Sequence, residues 1–574
     1  MKRRFIAVVC AFLTAFVLTA VLCADHETPY VAKDPKAQTS DESWNSVKAN
    51  YINSESFSLT VDGEEKHLSD EDILLTSSGD VLLSRDILIS AFGIAVNVYE
   101  ETSVIMIKGS AVVSFGIGDT DIEANGEEMQ ISCAACWIDD ILYIPEELLT
   151  VCMGYEGEAD TAALTASYTA ASEELSTLPS YYSGADYGRL PSVKNQGELG
   201  ACWALAAVSA LEAYLLPEDD TELSADHMIY NSGFGTSGDD GGDQIMSMSY
   251  LLSWKGPVLE SEDPYADGVS DPSLTASYHV QEIQYLPSKD YEAIKQAVIL
   301  YGAVETSIYM AAVNGLYVDH DYYNYSNSAY CYDGTSLAVN HEVVIIGWDD
   351  DYPAQNFAGN VESDGAFICL NSWGEGFGSS GIFYISYEDI YVGTTAVAYS
   401  CIESSDNYDN IYQYDDVGWT ANIGYGKNTA YMANIYTADS DEVLEAVGFY
   451  ATDENTDYEV YVIQNCTDES MLSASGTVYA SGTLENSGYY TITLDETVEL
   501  EAGESFAVIV MVDTTGQGKP LACEMDTQTE RTSTVSTEGK SSYISSNGSS
   551  WENCQTKYEA NICLKAYTSS RVTK

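Results

Sequence analysis

Three observations predict a multidomain α+β protein. Two similar strand–helix–strand units lie between residues 55 and 168, a long apolar helix and apolar strands lie between 188 and 402, and alternating β segments fill 410–568. The 574 residues leave room for several domains at about 150 residues each. With 45% apolar and 20% charged residues the chain is of globular composition, not a low-complexity one.

Residues 1–24 read as a secretory signal peptide. Lys2, Arg3 and Arg4 form a basic start and Phe5 to Leu22 an 18-residue apolar run ending near Cys23-Ala24. A lipid anchor on Cys23 is disfavoured by bulky Leu22 where a small residue is expected, and a retained anchor is the other alternative. No second apolar run of spanning length follows in the sequence, so after signal removal no membrane span is expected. The expected location is outside the cell, secreted or associated with its surface. Ninety acidic residues against 22 basic ones give a formal charge of -68, which repels phosphate backbones and anionic lipid. Nucleic acid is therefore excluded as a partner. Eleven of the 13 cysteines lie beyond the signal, an odd number that leaves at least one thiol unpaired if the rest pair. Cys133 and Cys136 have redox-motif spacing without the βαβ pattern around them, and read as buried thiols or a local disulfide.

Residues 25–54 are polar and contain Pro29 and Pro35, the composition of a linker. Within 55–168, Gly79 to Ser90 and Asp140 to Leu149 each read as a short strand running into a helix, followed by further strands. This repeat resembles the copper amine oxidase N-terminal-like (stalk) domain. Despite its name that domain implies no copper, and no histidine cluster lies here to bind it; a spacing or surface role is what the resemblance implies. Residues 169–187, rich in Ser, Tyr and small residues, form the next linker.

The chemistry lies in 188–402. From Trp203 to Leu216 nearly every residue favours helix and most are apolar, which predicts a buried helix stopped by Pro217. Cys202 then sits in its first turn, where free N–H groups and the positive dipole end favour a thiolate. Such a nucleophile needs a base and a group that orients the base. His341 opens the apolar run Glu342 to Trp348, and Phe367 to Leu370 ends in Asn371-Ser372-Trp373-Gly374. Each feature alone reads as structural; together they do not.

These pieces resemble a papain-like cysteine peptidase. Gln196-Gly197 stands six residues before Cys202-Trp203, His341 lies 139 residues beyond Cys202, and Asn371 lies 169 beyond it. The resemblance implies a two-part fold, a helical subdomain and a β-rich one, that hydrolyses peptide bonds of protein or peptide substrates without cofactor or metal. It implies that Cys202 attacks the carbonyl, that His341 pairs with it as an imidazolium, and that Asn371 fixes the ring with Trp373 shielding that bond. The Gln196 amide and the Cys202 N–H then form the oxyanion hole. Gly241-Gly242 matches the segment whose backbone pairs with extended substrate; an acidic turn or a weak calcium loop is its other reading. Departures are Leu199 and Asp239 in place of a disulfide pair, Asn340 in place of Asp, and Glu342 in place of a small residue. Glu342 either favours a basic substrate side chain or points into solvent. A helical inhibitory pro-segment is not apparent upstream.

Beyond residue 410, segments such as Tyr458 to Val462 and Phe506 to Val512, separated by turns, predict a β-sandwich. It resembles the lectin-like domain of bacterial exported peptidases, which implies a carbohydrate or cell-surface ligand; Trp419, Tyr425 and Trp551 are read either as exposed aromatics that stack on sugars or as parts of a structural sandwich braced against the peptidase. Two competing functions were weighed against the peptidase: a catalytically silent surface adhesin on a peptidase scaffold, which loss of Gln196, Cys202, His341 or Asn371 would have favoured, and a transamidase or cell-wall amidase, whose histidine is generally oriented by an acidic group or a second histidine.

Overall fold

The computed structural model describes residues 50–51, 57–66, 68–69, 71–76, 79–138, 141–171, 178–235, 240–314 and 317–571. The signal segment with Cys10 and Cys23, most of the 25–54 linker, residues 172–177 of the second linker, and Gly238-Asp239 lie outside the described residues.

The chain divides into two compact units, the first made mainly of residues up to 172 and the second of the rest. In the first, the two sequence repeats pair with each other. Val81–Ser84 and Ile141–Pro145 run antiparallel in one sheet, Ser84 opposite Tyr143, and each leads into a short helix, Arg85–Ser90 or Glu147–Val151. Ser84 caps its helix by accepting the Ile87 N–H at 3.2 Å. Leu82, Leu83, Ile87 and Leu88 of one repeat and Leu142, Tyr143, Leu148 and Leu149 of the other are buried. The apolar positions that mark the repeat are thus its core.

The second unit is built around the helix Cys202–Leu215. Leu216 already has the extended conformation that a following proline imposes, so the helix ends one residue earlier than the composition alone predicts. Residues Trp203 through Ala213 of this helix are buried, against Val344 and Ile346 of the strand His341–Asp349 and Val397 and Tyr399 of Ala396–Ser404. Burial of that much apolar surface at about 25 cal/mol per Å2 is what fixes the helix against the sheet. Arg189, itself buried, donates to the carbonyls of Ala213 and Ile299 at 3.1 and 2.9 Å, satisfying acceptors at the ends of two helices.

The sheet under this helix does not stop at the central domain. Its strands follow the order Ile382–Ser386, Ala366–Leu370, His341–Asp349, Val304–Ile308, Ala396–Ser404, Tyr278–Leu286. It then continues through Ser487–Leu500, Glu442–Ala451, Leu564–Ser570 and Asn410–Tyr412 of the C-terminal domain. The seam is antiparallel, with Glu282 opposite Tyr490 and Tyr285 opposite Ser487.

A separate six-stranded sheet, with Ser505–Asp513 and Thr429–Thr437 at its centre, completes the sandwich predicted for the C-terminal region. Val508, Val510 and Ile544 from it pack with Val447, Phe449 and Leu564 from the continuous sheet. Its outer face is covered in turn, because Ala507 and Ile509 pack with Leu472 and Trp551.

The exposed reading of Trp419, Tyr425 and Trp551 is not met. All three are half-buried, and their polar tips are engaged: Trp419 Nε1 on Asn422 Oδ1 at 2.8 Å, Tyr425 Oη on Glu552 at 3.1 Å, and Trp551 Nε1 on the Leu472 carbonyl at 3.0 Å. An aromatic ring with a large apolar body is more stable partly buried with its donor satisfied than open to water. Of the two readings of Cys133 and Cys136, buried thiols or a local disulfide, the structure has the thiols. Cys133, Cys136, Cys152, Cys202, Cys331, Cys369, Cys466, Cys523, Cys554 and Cys563 are all free thiols, most of them buried.

Candidate active site

Three chain segments converge at the start of the Cys202 helix. Lys194 to Gln196 runs beside Ser372 to Gly374: the Gln196 N–H donates to the Ser372 carbonyl at 2.8 Å and the Gly374 N–H to the Lys194 carbonyl at 2.9 Å. Lys194 also reaches Glu212 on the helix, Nζ to Oε1 2.7 Å, a pair in which Glu212 is buried. Burial drives the Glu212 carboxyl up to about 7, against the pull of Lys194. This pair ties the Gln196 segment to the helix.

The Gln196 side chain is held at both ends. Its Oε1 accepts from Ser372 Oγ at 2.9 Å and Trp373 Nε1 at 3.0 Å, and its Nε2 donates to the Leu199 carbonyl at 2.8 Å. The amide carries two hydrogens, so the second remains available for a developing oxyanion.

Cys202 opens the helix and remains partly exposed. The backbone N–H groups of Glu342, the residue after His341, of Trp203 and of Cys202 itself favour its thiolate. These donors pull the thiol pKa down, as expected at a helix start, but desolvation is the larger effect and the thiol stands above its ordinary value. His341 is buried, and burial holds its ring below the ordinary histidine value despite the bond to Asn371.

That bond joins His341 Nε2 to Asn371 Oδ1 at 2.8 Å. The same oxygen accepts the Ser372 N–H at 2.8 Å, so it is an acceptor, Nε2 carries the proton, and Nδ1 is the nitrogen left for the thiol. Trp373 lies against the ring, centroids 5.1 Å apart and planes 43° apart, and Phe377 packs edge-on to Trp373 at 5.0 Å. Asn340 takes no part in this network. Its amide accepts from the Met310 N–H at 2.7 Å and donates to the Met310 carbonyl at 3.1 Å, a loop anchor.

Gly241 and Gly242 lie beside the same helix. A Cβ on Gly242 would fall 2.6 Å from the Trp203 indole, so only glycine lets this backbone lie against the residue that follows the nucleophile. Gly241 adopts φ +77°. The turn ahead of them contains Gly238-Asp239, outside the described residues; among the described residues no group of three or more His, Cys, Asp and Glu lies together as metal ligands would.

Glu342 does not point into solvent. It is buried and accepts from Ser307 Oγ at 2.8 Å and Gln244 Nε2 at 3.2 Å. One strand over, Glu305 is wholly buried; one of its oxygens takes Tyr399 Oη at 3.0 Å and the other has no partner. Ser307 stands opposite Glu342 and Glu305 opposite Val344, which puts both carboxyls on one face of the sheet. Burial raises both pKa values above the carboxylate range, Glu342 to about 8 and Glu305 further, and the Glu342 charge adds to the rise at Glu305. Glu305 was not legible as part of this site, because an isolated acid between apolar strand residues reads as outward-facing.

Three stretches of the chain match known families. Residues 178–402 match the model for the papain family cysteine protease. The central domain belongs to the papain family. Residues 60–167 match the copper amine oxidase N-terminal domain and 411–568 the lectin-like domain. Cathepsin S of Bos taurus is 28% identical over 216 residues, 36% of this chain and 59% of its own length. Cathepsin J of Rattus norvegicus is 30% identical over 220 residues, 36% of this chain and 60% of its own length. The chain thus spans about six-tenths of the length of these curated relatives.

Among solved structures, the clostridial cysteine protease Cwp84 after propeptide cleavage is 29% identical with a TM-score of 0.60, covering 68% of this chain and 100% of its own. The cysteine protease and lectin-like domains of Cwp84, a surface layer associated protein of Clostridium difficile, are 28% identical with a TM-score of 0.58, covering 68% of this chain and 89% of their own. The papain-family domain here is therefore paired with a lectin-like domain as in that protein. No helix among the described residues is long and apolar enough to cross a membrane.

Proposed function

We propose that this protein is an exported cysteine endopeptidase that hydrolyses peptide bonds through a thioester acyl-enzyme on Cys202. The observation that carries this is the junction of His341 with Asn371 at 2.8 Å, together with a Cys202 thiol that the backbone N–H of the residue after His341 pulls toward its thiolate.

Burial penalises the Cys202 thiolate and the His341 imidazolium as lone charges, but transfer of the thiol proton to Nδ1 creates both at once, side by side, with no net charge buried. The thiolate attacks the scissile carbonyl carbon. The second Gln196 amide hydrogen and the Cys202 N–H receive the oxyanion, and the Nδ1 proton passes to the leaving amine. Water, deprotonated by the same ring, then hydrolyses the thioester and frees the thiol. Trp373 covers the His341–Asn371 bond and keeps it out of water, where it would weaken. Glu342, held toward its protonated form and already hydrogen-bonded to Ser307 and Gln244, supplies a neutral wall under the site, not a counter-charge for a basic substrate side chain.

Export is supported by the basic-then-apolar N-terminus, by the excess of acidic side chains, and by likeness to a surface-layer-associated protease. We place the protein outside the cell, with its lectin-like domain facing a surface ligand, carbohydrate among the choices.

The test is an epoxysuccinyl activity probe together with a quenched fluorescent peptide, applied to reduced wild type and to Cys202→Ala. Labelling and cleavage are expected in wild type and absent in the variant. A wild type that neither labels nor cleaves would reject the peptidase reading in favour of a silent surface protein, and labelling that survives Cys202→Ala would move the nucleophile elsewhere.

A further inference from the structure

Two buried acids of the papain-family domain stand outside the reaction. Asp226 lies in the helix Ala225–Asn231 and Asp263 at the start of the turn-rich loop 263–271, and their exposures are 0% and 2%. Each is held through one oxygen only. Asp226 Oδ1 accepts the Ala266 N–H at 2.9 Å, and Asp263 Oδ2 accepts Ser270 Oγ at 2.7 Å and the Asp271 N–H at 3.4 Å. The other oxygens, Asp226 Oδ2 and Asp263 Oδ1, are buried with no hydrogen-bond partner among the described residues. Buried polar atoms left in that state cost free energy, and buried charges cost more.

The loop wraps both carboxyls. Its middle is tied to Asp226 at Ala266, its end to Asp263 at Ser270, and the Ser224 hydroxyl donates to the Asp263 carbonyl at 2.6 Å. The two acids sense each other: burial first, and the Asp263 charge besides, push the Asp226 carboxyl above its ordinary value. His227, the next residue of the helix, does not neutralise them. Its Nε2 faces the Asp271 carbonyl at 3.1 Å and so carries hydrogen, its Nδ1 stands 2.7 Å from the Tyr250 hydroxyl, and burial favours the neutral ring.

Two carboxylates with unused oxygens, closed in by a loop, suit a divalent cation that takes oxygen ligands. Calcium accepts an irregular shell completed by hydroxyl and carbonyl oxygens and water, whereas magnesium demands a near-ideal octahedron. No group of three or more His, Cys, Asp and Glu lies together among the described residues, so the site lacks the nitrogen and sulfur donors that transition metals favour. The tip of the loop, Asp267 to Val269, is exposed, which gives an ion a way in, and the formal charge of -68 concentrates cations around the chain.

The same loop reaches the active site. Tyr265 Oη donates to the Gln196 carbonyl at 3.0 Å, while the Tyr265 N–H donates to Glu260 at 2.9 Å. We propose that Asp226 and Asp263 bind one calcium ion within the loop 263–271, and that the ion, through Tyr265, holds the Gln196 segment in its working position. Tyr265 is thus a positioning residue. The cation site stands without the peptidase reading; its effect on turnover rests on that reading.

Full-length Cys202→Ala protein, which cannot digest itself, is freed of metal with EDTA and titrated calorimetrically with Ca2+ in excess Mg2+, which occupies the scattered surface acids. One saturable site is expected, with a Kd of about 10⁻⁵–10⁻³ M. Asp226→Asn and Asp263→Asn keep the shape of each acid and its acceptor oxygen but remove one charge, and each should weaken Ca2+ binding at least about tenfold. In EDTA both should melt no lower than their parent, because a buried repulsion is gone, so lost binding is not lost fold. The absence of a saturable site, or a site that both variants retain, overturns the proposal. Wild type hydrolysing a fluorogenic peptide should lose kcat several-fold in EDTA and regain it with Ca2+. Tyr265→Phe should bind Ca2+ as wild type does, yet turn over at the EDTA rate with or without it. Turnover that ignores EDTA while the site still binds overturns the link to Gln196. Turnover without a saturable Ca2+ site sinks the cation site alone, and Ca2+ binding by a protein that never turns over sinks the peptidase alone.

Discussion

At the scale of one residue, the Gln196 side chain is held at both ends, and the proposed mechanism gives each end a task. Its carbonyl oxygen fixes Trp373 and Ser372, which border Asn371, while its amide nitrogen holds the Leu199 carbonyl and keeps a second hydrogen for the oxyanion of the proposed mechanism. Gln196→Ala is therefore expected to lower kcat by about 10²–10³, the usual cost of one lost oxyanion donor, with a smaller change in KM. Steady-state kinetics on a fluorogenic peptide measures this, and a fall of less than about threefold would remove the amide from the oxyanion hole.

The meeting of the Gln196, Cys202, His341 and Asn371 segments was legible in the sequence because Cys202, His341 and Asn371 stand at the ends of elements with strong apolar patterns, while Gln196, in a loop, was placed by the family resemblance alone. The direction of the thiol shift was not legible. A helix start lowers it and burial raises it, and sequence reveals the first but not the second. The three C-terminal aromatics failed for a related reason: their burial depends on cross-strand and loop partners such as Asn422, Glu552 and Leu472 that no local pattern indicates.

Pairing of the strands Val304–Ile308 and His341–Asp349 decides where the carboxyls of Glu305 and Glu342 go. In register, both face the Cys202 helix, and water is excluded from them. Folding raises their pKa values from the ordinary 4.5, desolvation first and, for Glu305, the Glu342 charge next. The folded state therefore holds protons that the unfolded state releases, and the stability they contribute is full below about pH 4.5 and is lost as pH rises toward the raised values. Within that window one such group changes stability by up to about 1.4 kcal/mol per pH unit, or roughly 2–4 °C for a domain of this size.

Glu305→Gln keeps the bond to Tyr399 but cannot ionise. Its melting temperature should fall less between pH 6 and pH 8 than that of wild type, read by calorimetry at constant ionic strength. Equal slopes would mean that the pair is not held protonated. The apolar run after His341 marks its strand in the sequence, yet it offers no way to tell an acid that faces the core from one at an edge, because that difference lies in the register.

Over the whole molecule, the papain-family and lectin-like domains share one thirteen-stranded sheet, so neither has a free edge at their junction. The two domain types were legible from composition and motifs. The shared sheet was not, since residues 278–286 and 487–500 lie some 200 positions apart and each reads as an ordinary strand. Physical continuity predicts thermodynamic continuity: the domains should lose structure together.

Gly488 tests this. It lies in the lectin-like domain at φ +155°, with the space for a Cβ only 2.1 Å from the Ile283 carbonyl oxygen across the seam. Gly488→Ala cannot be accommodated without parting the two strands. We expect the temperature of half-inactivation of peptide hydrolysis to drop by several degrees, the shift that follows from a loss of about 1–3 kcal/mol, although the substitution is far along the chain from Cys202. Thermal scans by tryptophan fluorescence should show one transition displaced downward by the same amount. If the variant instead shows two transitions, with inactivation of the papain-family domain unmoved, the seam is a contact between independent domains and not the backbone of a single cooperative unit.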